Sequence, residues 1–442
     1  MKSAIYQSTA VEQQSLLFLF SAFLFRMGLA LETFEEVRPL GIQVSDYFFL
    51  FSLLLFLSCR QRGLLKSTGS GILIAAALIL GGAFLSSANA SGLSAAAGPL
   101  ARLFILFGLF APLAVVHSKD IRKNMLFLMG GVFTNCVIAI LTVWVSPGIA
   151  DAFALNPVTP TESGQNLGRF QGLAGHSNVL GLSAAFAVLI AIGLLLFEKG
   201  RYARWGLFFN IFVCTVAALL TGSRTFFVCL VPALLVLMIM QKPRRRLLLH
   251  TLVGMFVLWA GLNYVAPELL SQYTSRFTAT NADDSENYSR LLTATVAVAE
   301  ISEKPIMGWG ADRIGEAGRM FIPEANDFLG AHVSFLQYWY GAGLLGAIGF
   351  LALFVIPVRR MIRALKSNSS GDLGNALRLG LSVYMLLLLA SSLHPIMFNR
   401  FLYVPLFVFA GLTVQAPSSI KVSKTARRPI AHLPTRNIQA TS

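Results

Sequence analysis

The sequence is poor in charged residues. Only 12% of its 442 residues are Asp, Glu, Lys or Arg, whereas soluble domains carry about 25%. It also lacks a Walker-type phosphate loop, a GxGxxG turn after a strand, and CxxC or metal-ligand spacing among its four cysteines. Hydrophobic residues make up 55% of the chain, and the mean hydropathy is +0.68. The composition therefore excludes an ordinary soluble nucleotide-dependent enzyme and indicates a membrane protein.

Long apolar runs recur along the chain. A helix needs about 20 mostly apolar residues to cross the hydrocarbon core of a bilayer. The runs that meet this need lie near 15–31, 45–59, 71–87, 98–116, 125–146, 178–197, 205–221, 225–241, 247–265, 333–357, 376–393 and 398–414. The sequence therefore predicts an all-α polytopic membrane protein with about twelve transmembrane helices.

The basic residues alternate from loop to loop. With both termini placed in the cytoplasm, the cytoplasmic segments hold 24 basic and four acidic residues, whereas the other side holds 11 basic and 16 acidic residues. This asymmetry is the one that sets the orientation of bacterial membrane proteins. The net charge of +15 is therefore interpreted as a topology signal, and a nucleic-acid partner is not expected.

These patterns divide the chain into an integral membrane domain at 1–414 and a disordered cytoplasmic tail at 415–442. The only long loop, 266–332, faces outside the cytoplasm, and a second extracytoplasmic loop lies at 147–177. Within the long loop, apolar residues at helical spacing predict a helix from Arg290 to Ser302, followed by a break at 303–310. A patterned loop of this length is typical of a functional segment.

Arginines stand at predicted extracytoplasmic helix ends, on the face that should be poor in cations. They are Arg26, Arg102, Arg169, Arg224, Arg290 and Arg400. The guanidinium fork binds phosphate oxygens through two parallel hydrogen bonds and keeps its charge at low dielectric. Arg224 lies in the short turn 221–225 at the start of a helix, where backbone N–H groups also favour an anion. We therefore expect a phosphate site on this face.

Three histidines lie on the same face, namely His176, His332 and His394. His332 opens a span directly after the long loop, where an imidazole suits the role of general base. A diphosphate leaving group needs charge stabilisation, and a sugar hydroxyl nucleophile needs its proton removed. Arginines combined with a histidine therefore favour glycan transfer from a lipid diphosphate to an acceptor hydroxyl.

Motifs along the chain resemble those of the O-antigen ligase/polymerase superfamily of bacterial membrane glycosyltransferases. In order, they are Gly168-Arg-Phe-Gln-Gly172, His176-Ser-Asn178, Gly222-Ser-Arg-Thr225, Ser289-Arg290, Lys304-Pro-Ile-Met-Gly-Trp-Gly310, Ala331-His332 and Gly341-Ala-Gly-Leu-Leu-Gly346. The resemblance covers roughly 165–350 by motif and the whole chain by topology.

The resemblance implies a GT-C-like helical fold in the bacterial inner membrane and a polyprenyl-diphosphate-linked glycan donor, used without metal or other cofactor. By motif position, Arg224 and Arg290 hold the diphosphate, with Arg169 as a third candidate, and His332 activates the acceptor. His176 and Asn178 are candidate substrate contacts. Many members have Asn after the histidine, where this chain has Val333.

Two enzyme functions remain open, and both use membrane lipids and a glycan or lipid-linked acceptor as partners. A polysaccharide polymerase is favoured over an O-antigen ligase that passes glycan to lipid A-core or another acceptor, because the histidine motif departs from the usual pattern. Other polysaccharide export proteins are expected partners. A secondary transporter of a small solute such as bicarbonate is the second alternative, but the halves show no similarity and acidic residues are almost absent from the spans. A purely structural scaffold is the least favoured.

Overall fold

The fold was analysed in a computed structural model. It describes residues 2–32, 34, 43–59, 70–90, 92–144, 172–174, 176–198, 200–241, 285–322, 327–367, 371–394 and 400–415, together with 249, 253, 254, 256, 257, 260, 261 and 264. This part of the chain is almost entirely helical, apart from one short antiparallel hairpin. The predicted all-α class is confirmed.

The described part of the chain contains thirteen α-helices. They are α1 (Lys2–Leu31), α2 (Val44–Ser58), α3 (Ser70–Asn89), α4 (Leu93–Leu103), α5 (Ala111–Val116), α6 (Ile121–Trp144), α7 (Ser177–Leu195), α8 (Arg201–Thr221), α9 (Thr225–Met240), α10 (Ser285–Glu303), α11 (Ser334–Ser367), α12 (Gly371–Leu393) and α13 (Arg400–Gln415). A π-helical segment, Phe104–Phe110, joins α4 to α5, so that the three form one apolar rod. Two 3-10 helices, His117–Asp120 and Ala311–Glu316, and two strands, β1 (Met320–Ile322) and β2 (Asp327–Leu329), complete the described elements.

Among the described residues, seven helical segments are long and apolar enough to cross a membrane, and four shorter apolar helices accompany them. All eleven coincide with predicted spans. The ninth predicted span, 247–265, lies mostly outside the described residues, as do the tail after 415 and most of the loop 147–177. Helices suit this setting because each satisfies its own backbone hydrogen bonds, which lipid cannot do. The chain is a multi-pass membrane protein.

Helix α7 lies at the centre of the bundle, and 94% of its most apolar 18-residue stretch is buried. It packs against α6, α8, α9 and α12. Small residues allow this close packing: a Cβ placed on Gly181 would lie 2.7 Å from the Cβ of Ser223, and one on Gly193 would lie 2.5 Å from Leu379. The loop between α8 and α9, which carries Arg224, is thereby held against the start of the central helix.

The loops predicted to share a face are found together. On the face predicted to lie outside the cytoplasm, here called the outer face, Gly310 N–H donates to Ser86 Oγ at the end of α3. On the opposite face, Gln241 Nε2 donates to Asn375 Oδ1 at 3.1 Å, and Arg122 pairs with Glu198. The loop charges predict which helix ends share a face, and the helix ends that contact one another agree with this prediction.

Arg26 is an exception, and its predicted place on the outer face is wrong. Its guanidinium pairs with Asp120 at 2.6 Å and donates to Asn124 Oδ1 at 3.2 Å. Both partners lie in or beside the short connection predicted to face the cytoplasm. The error arose because α1 is a continuous helix of 30 residues, so the end of its apolar run does not mark the membrane boundary.

The described part of the long loop forms a compact outer-face module. Helix α10 confirms the predicted helix at Arg290–Ser302 and extends it at both ends. The 3-10 helix and the β1–β2 hairpin follow, and the hairpin pairs Met320 with Leu329; it was not predicted. Helix α10 and the 3-10 helix both pack against α11, so the module sits on the first half of that helix.

Candidate functional site

Arg224 lies in the turn that the sequence predicted. Helix α8 ends at Thr221, and Gly222 follows in the left-handed conformation with φ 59°, which favours glycine at a helix end. Ser223 is buried, and its N–H donates to Thr221 Oγ1 at 3.1 Å. Arg224 is half-buried at the N-cap of α9. Arg224 therefore lies at a helix N-terminus, where the helix dipole favours an anion.

His394 joins this turn to the segment that carries His332. At the end of α12, its Nε2 lies 2.7 Å from Thr225 Oγ1. Its backbone carbonyl accepts a hydrogen bond from Ser334 Oγ at 2.9 Å. Thr225, Ser334 and His394 are all buried. Arg224 directly precedes Thr225, and His332 lies two residues before Ser334. The structure therefore brings Arg224 and His332, two predicted site residues, to one junction.

The imidazole of His332 is oriented by its own loop. Nδ1 lies 2.9 Å from the carbonyl oxygen of Gly330. Because a carbonyl oxygen can only accept, Nδ1 carries the hydrogen, and Nε2 of the neutral ring carries the lone pair. His332 is half-buried. The tautomer is the one that a general base acting through Nε2 requires.

The backbone on both sides of His332 is also fixed. Ala331 N–H donates to Ala317 O at 2.7 Å, and Gln337 Nε2 donates to Ala331 O at 2.9 Å. Val333 contributes only its backbone carbonyl, which accepts from Gln337 N–H. Gln337, one turn into α11, thus holds the backbone on both sides of His332.

Gln337 also presents a buried acceptor. Its residue is 3% exposed, and its Oε1 has no hydrogen-bond partner among the described residues. Leaving a buried carbonyl unsatisfied costs about 1–3 kcal/mol.

Arg290 lies on α10, and a chain of contacts connects it to His332. Its carbonyl accepts from Thr293 Oγ1 at 3.1 Å. The carbonyl of Thr293 lies so close to Gly318, which has φ 62°, that a Cβ there would collide with it. Ala317, the preceding residue, is the partner of Ala331. Arg290 is half-buried, and the helix that bears it is held against the loop that carries His332.

Helix α11 is broken at Gly343, where φ is 63° and ψ is −164°. Phe335 and Tyr338, before the break, pack against Phe350 after it, with ring centroids 6.3 and 5.1 Å apart. The first half of α11 therefore folds back on the second half. His332 stands just before this first half.

The segment Lys304–Gly310 fills the break. In an unbroken helix Leu344 N–H would donate to Tyr340 O. Here Leu344 N–H donates to Ile306 O at 3.0 Å, and Trp309 N–H donates to Tyr340 O at 2.7 Å. Each half of the lost helical bond is thus replaced by one bond to the inserted segment, as backbone groups at membrane depth require.

Glycines make this contact possible. Gly308 has φ 75°, and a Cβ on it would lie 2.6 Å from Gly343 N and 2.7 Å from Tyr340 O. On the other side of α11, a Cβ on Gly82 of α3 would lie 2.5 Å from Ala342 O. The motifs at 304–310 and 341–346 therefore act as two sides of one backbone contact, a role that the sequence did not indicate.

The other predicted site residues have separate surroundings. His176 is exposed and caps α7, because its Nδ1 accepts from Asn178 N–H at 3.1 Å. Arg169 lies outside the described residues. Leu173, which directly follows the motif of Arg169, is described, and its N–H donates to Asn135 Oδ1 of α6 at 2.8 Å. For Arg169, His176 and Asn178 a role in substrate binding stays a prediction.

Within the described ranges, no three His, Cys, Asp or Glu side chains are grouped as metal ligands. The four cysteines are buried free thiols. His394 and Gln337 are the members of the junction to which sequence reasoning assigned no role. A histidine on the outer face was visible in the sequence, but its contact with Thr225 spans 169 residues and has no local signal.

Comparison with protein families gives one match. Residues 209–351 fit the family model described as O-antigen ligase, and this stretch contains Arg224, Arg290 and His332. No curated protein matches the chain. The matched stretch begins in α8 and ends in α11, so it includes the turn, the outer-face module and the broken helix. This stretch of the chain is therefore similar to the O-antigen ligase family, which supports the predicted membership of the O-antigen ligase/polymerase family.

Proposed function

We propose that the chain is a membrane glycosyltransferase that polymerises polyprenyl-diphosphate-linked glycan units on the outer face of the bacterial inner membrane. The family match supports a ligase- or polymerase-type function in polysaccharide assembly. The observation that carries the proposal further is the junction at His394, which unites the arginine turn with the segment of the oriented imidazole.

Each residue has one role in the reaction. Nε2 of His332 removes the proton from an acceptor hydroxyl, and the hydroxyl oxygen attacks the anomeric carbon of the donor sugar. The bond from that carbon to the diphosphate oxygen breaks, and the lipid diphosphate leaves with both electrons of the bond. Arg224 and Arg290 hold the diphosphate and stabilise its charge, with Arg169 as the third candidate.

Transfer by the purified full chain tests the proposal. The assay supplies a polyprenyl-diphosphate-linked repeat unit and a glycan acceptor, and follows chain length. His332→Ala should lower the rate by about 10²–10⁴-fold, the usual contribution of a general base, while donor binding persists. The wild-type rate should fall as the medium is acidified, because a protonated imidazole cannot accept a proton. Full turnover in His332→Ala would refute the assignment and make His176 the next candidate.

A ligase is the alternative within the same family, and the glycans of a deletion strain separate the two. Loss of a polymerase leaves single repeat units, whereas loss of a ligase leaves long chains that are made but remain unattached to lipid A-core. The polymerase is favoured because Val333, and not a polar residue, follows the histidine.

A further inference from the structure

The outer-face module contains an open cavity that the proposed reaction does not use. It has a volume of about 340 Å³ and is lined by Glu300, Glu316, Arg319 and Tyr340. Glu300 comes from α10, Glu316 and Arg319 from the 3-10 helix and the turn after it, and Tyr340 from the first half of α11. Three separate elements therefore converge on it.

Contacts among the lining residues and with their neighbours hold the lining together. Glu300 Oε2 accepts from Gly318 N–H at 2.8 Å, and Glu300 O accepts from Trp309 Nε1 at 3.1 Å. The ring of Tyr340 stacks on Trp309, with centroids 5.9 Å apart and planes inclined by 22°. Arg319 Nη1 lies 3.4 Å from Glu316 Oε1. The Glu300 carboxylate and the Tyr340 ring are therefore positioned before any ligand arrives, which lowers the entropic cost of binding.

Charge decides which ligand the cavity suits. Among the described lining residues, two carboxylates and one guanidinium give a net negative charge, which disfavours a diphosphate. Carboxylates accept hydrogen bonds from hydroxyl groups, a guanidinium donates to hydroxyl and ring oxygens, and the volume lies in the range of small-molecule sites. A lipid tail would leave these charged groups without water or partners. The chemistry that remains is that of a saccharide.

Its position connects the cavity to the proposed reaction centre. Tyr340 belongs to a small buried cluster with Ala297, Ala317 and Ala331, and Ala331 directly precedes His332. The cavity and the loop that carries His332 are therefore joined by one packed cluster.

We propose that the cavity lined by Glu300, Glu316, Arg319 and Tyr340 is a saccharide subsite, which binds a sugar of the glycan at a distance from the reacting centre. This inference rests on the proposed function for the identity of its ligand. The sugar comes either from the donor glycan or from the acceptor glycan, and kinetics distinguish the two sources.

The test compares Glu316→Gln and Arg319→Gln with Glu303→Gln in the purified full chain. Glu303 is also an exposed carboxylate of the module, but it does not line the cavity. The probes are the free oligosaccharide released from the strain's own polysaccharide and inorganic pyrophosphate. We expect oligosaccharide affinity to fall about tenfold in each cavity variant, as for loss of one hydrogen bond to a charged group. Pyrophosphate affinity and the binding of both probes to Glu303→Gln should not change.

Rates then identify the source of the sugar: the KM for the donor rises if the cavity holds the donor glycan, and that for the acceptor rises if it holds the acceptor glycan. Oligosaccharide affinities equal to the wild type in both cavity variants would overturn the subsite. A chain that binds the oligosaccharide through this cavity but transfers no glycan would overturn the proposed function and leave the saccharide site standing.

Discussion

The break in α11 depends on Gly308, and replacement of this residue by alanine tests the account of it. The new Cβ would lie 2.6 Å from Gly343 N and 2.7 Å from Tyr340 O. Both neighbours are backbone atoms, so no side chain can rotate away to make room. The inserted segment must move away from α11, and its two backbone hydrogen bonds, from Trp309 to Tyr340 and from Leu344 to Ile306, lengthen or break.

The cost of Gly308→Ala follows from three contributions. A side chain at φ 75° costs about 1–2 kcal/mol. Each of the two hydrogen bonds contributes about 1 kcal/mol. We therefore expect a loss of about 3–4 kcal/mol in the free energy of unfolding, which would lower the apparent Tm by roughly 3–4 °C. Glycan transfer should fall as well, because the segment of His332 leads directly into the displaced half-helix.

The assay follows thermal unfolding of the purified full chain with a thiol-reactive dye. All four cysteines are buried, so they react only as the bundle opens. Gly315→Ala is the matched control: this glycine is in the same module, no atom lies within 4 Å of its added Cβ, and its φ is ordinary. Its effect should stay within about 0.5 kcal/mol. Equal melting curves for the two alanine variants would refute the interpretation of the break.

Three further predictions follow from the site. Arg224→Lys and Arg290→Lys should each lose most transfer activity at near-normal expression, because a point charge replaces a bidentate fork; full activity in both would indicate structural arginines. Thr225→Val should lower stability by about 1–3 kcal/mol in thermal unfolding by removing a hydroxyl from a buried histidine, whereas Thr225→Ser should retain the contact with His394, and equal losses in the two would argue against it. A cysteine placed at Ser285 should react with an impermeant label from outside whole cells, and labelling only from the cytoplasm would overturn the topology.

The helices were largely predictable because membrane helices are marked by local composition. Apolar runs of sufficient length and alternating loop charges are properties of contiguous sequence, and hydrogen bonding in lipid forces such runs into helices. The helix after Arg290 was visible for a related reason, since its apolar residues recur at helical spacing. The placement of Arg26 was wrong because composition gives the length of an apolar run but not which part of the helix contacts which loop.

The junction of the candidate site was not predictable in the same way. The bond from Thr225 to His394 and the one from Gly310 to Ser86 join residues far apart in the chain. No local pattern selects such partners. The break at Gly343 was hidden for a different reason. Its flanking residues are apolar and form helix on both sides, so the run is indistinguishable from one continuous span.

The break also connects the two glycine-rich motifs, at 304–310 and 341–346, with the loop that carries the histidine. A helix that continued unbroken through Gly343 would use Tyr340 O and Leu344 N–H internally and would leave the segment at 304–310 without a docking place. With the break, the first half of α11 and the outer-face module share these backbone bonds. His332 lies between the two, in the loop that leads from the module into the half-helix. The position of this loop therefore depends on the contact between the two glycine motifs, and a substitution at either motif should act on transfer without touching substrate.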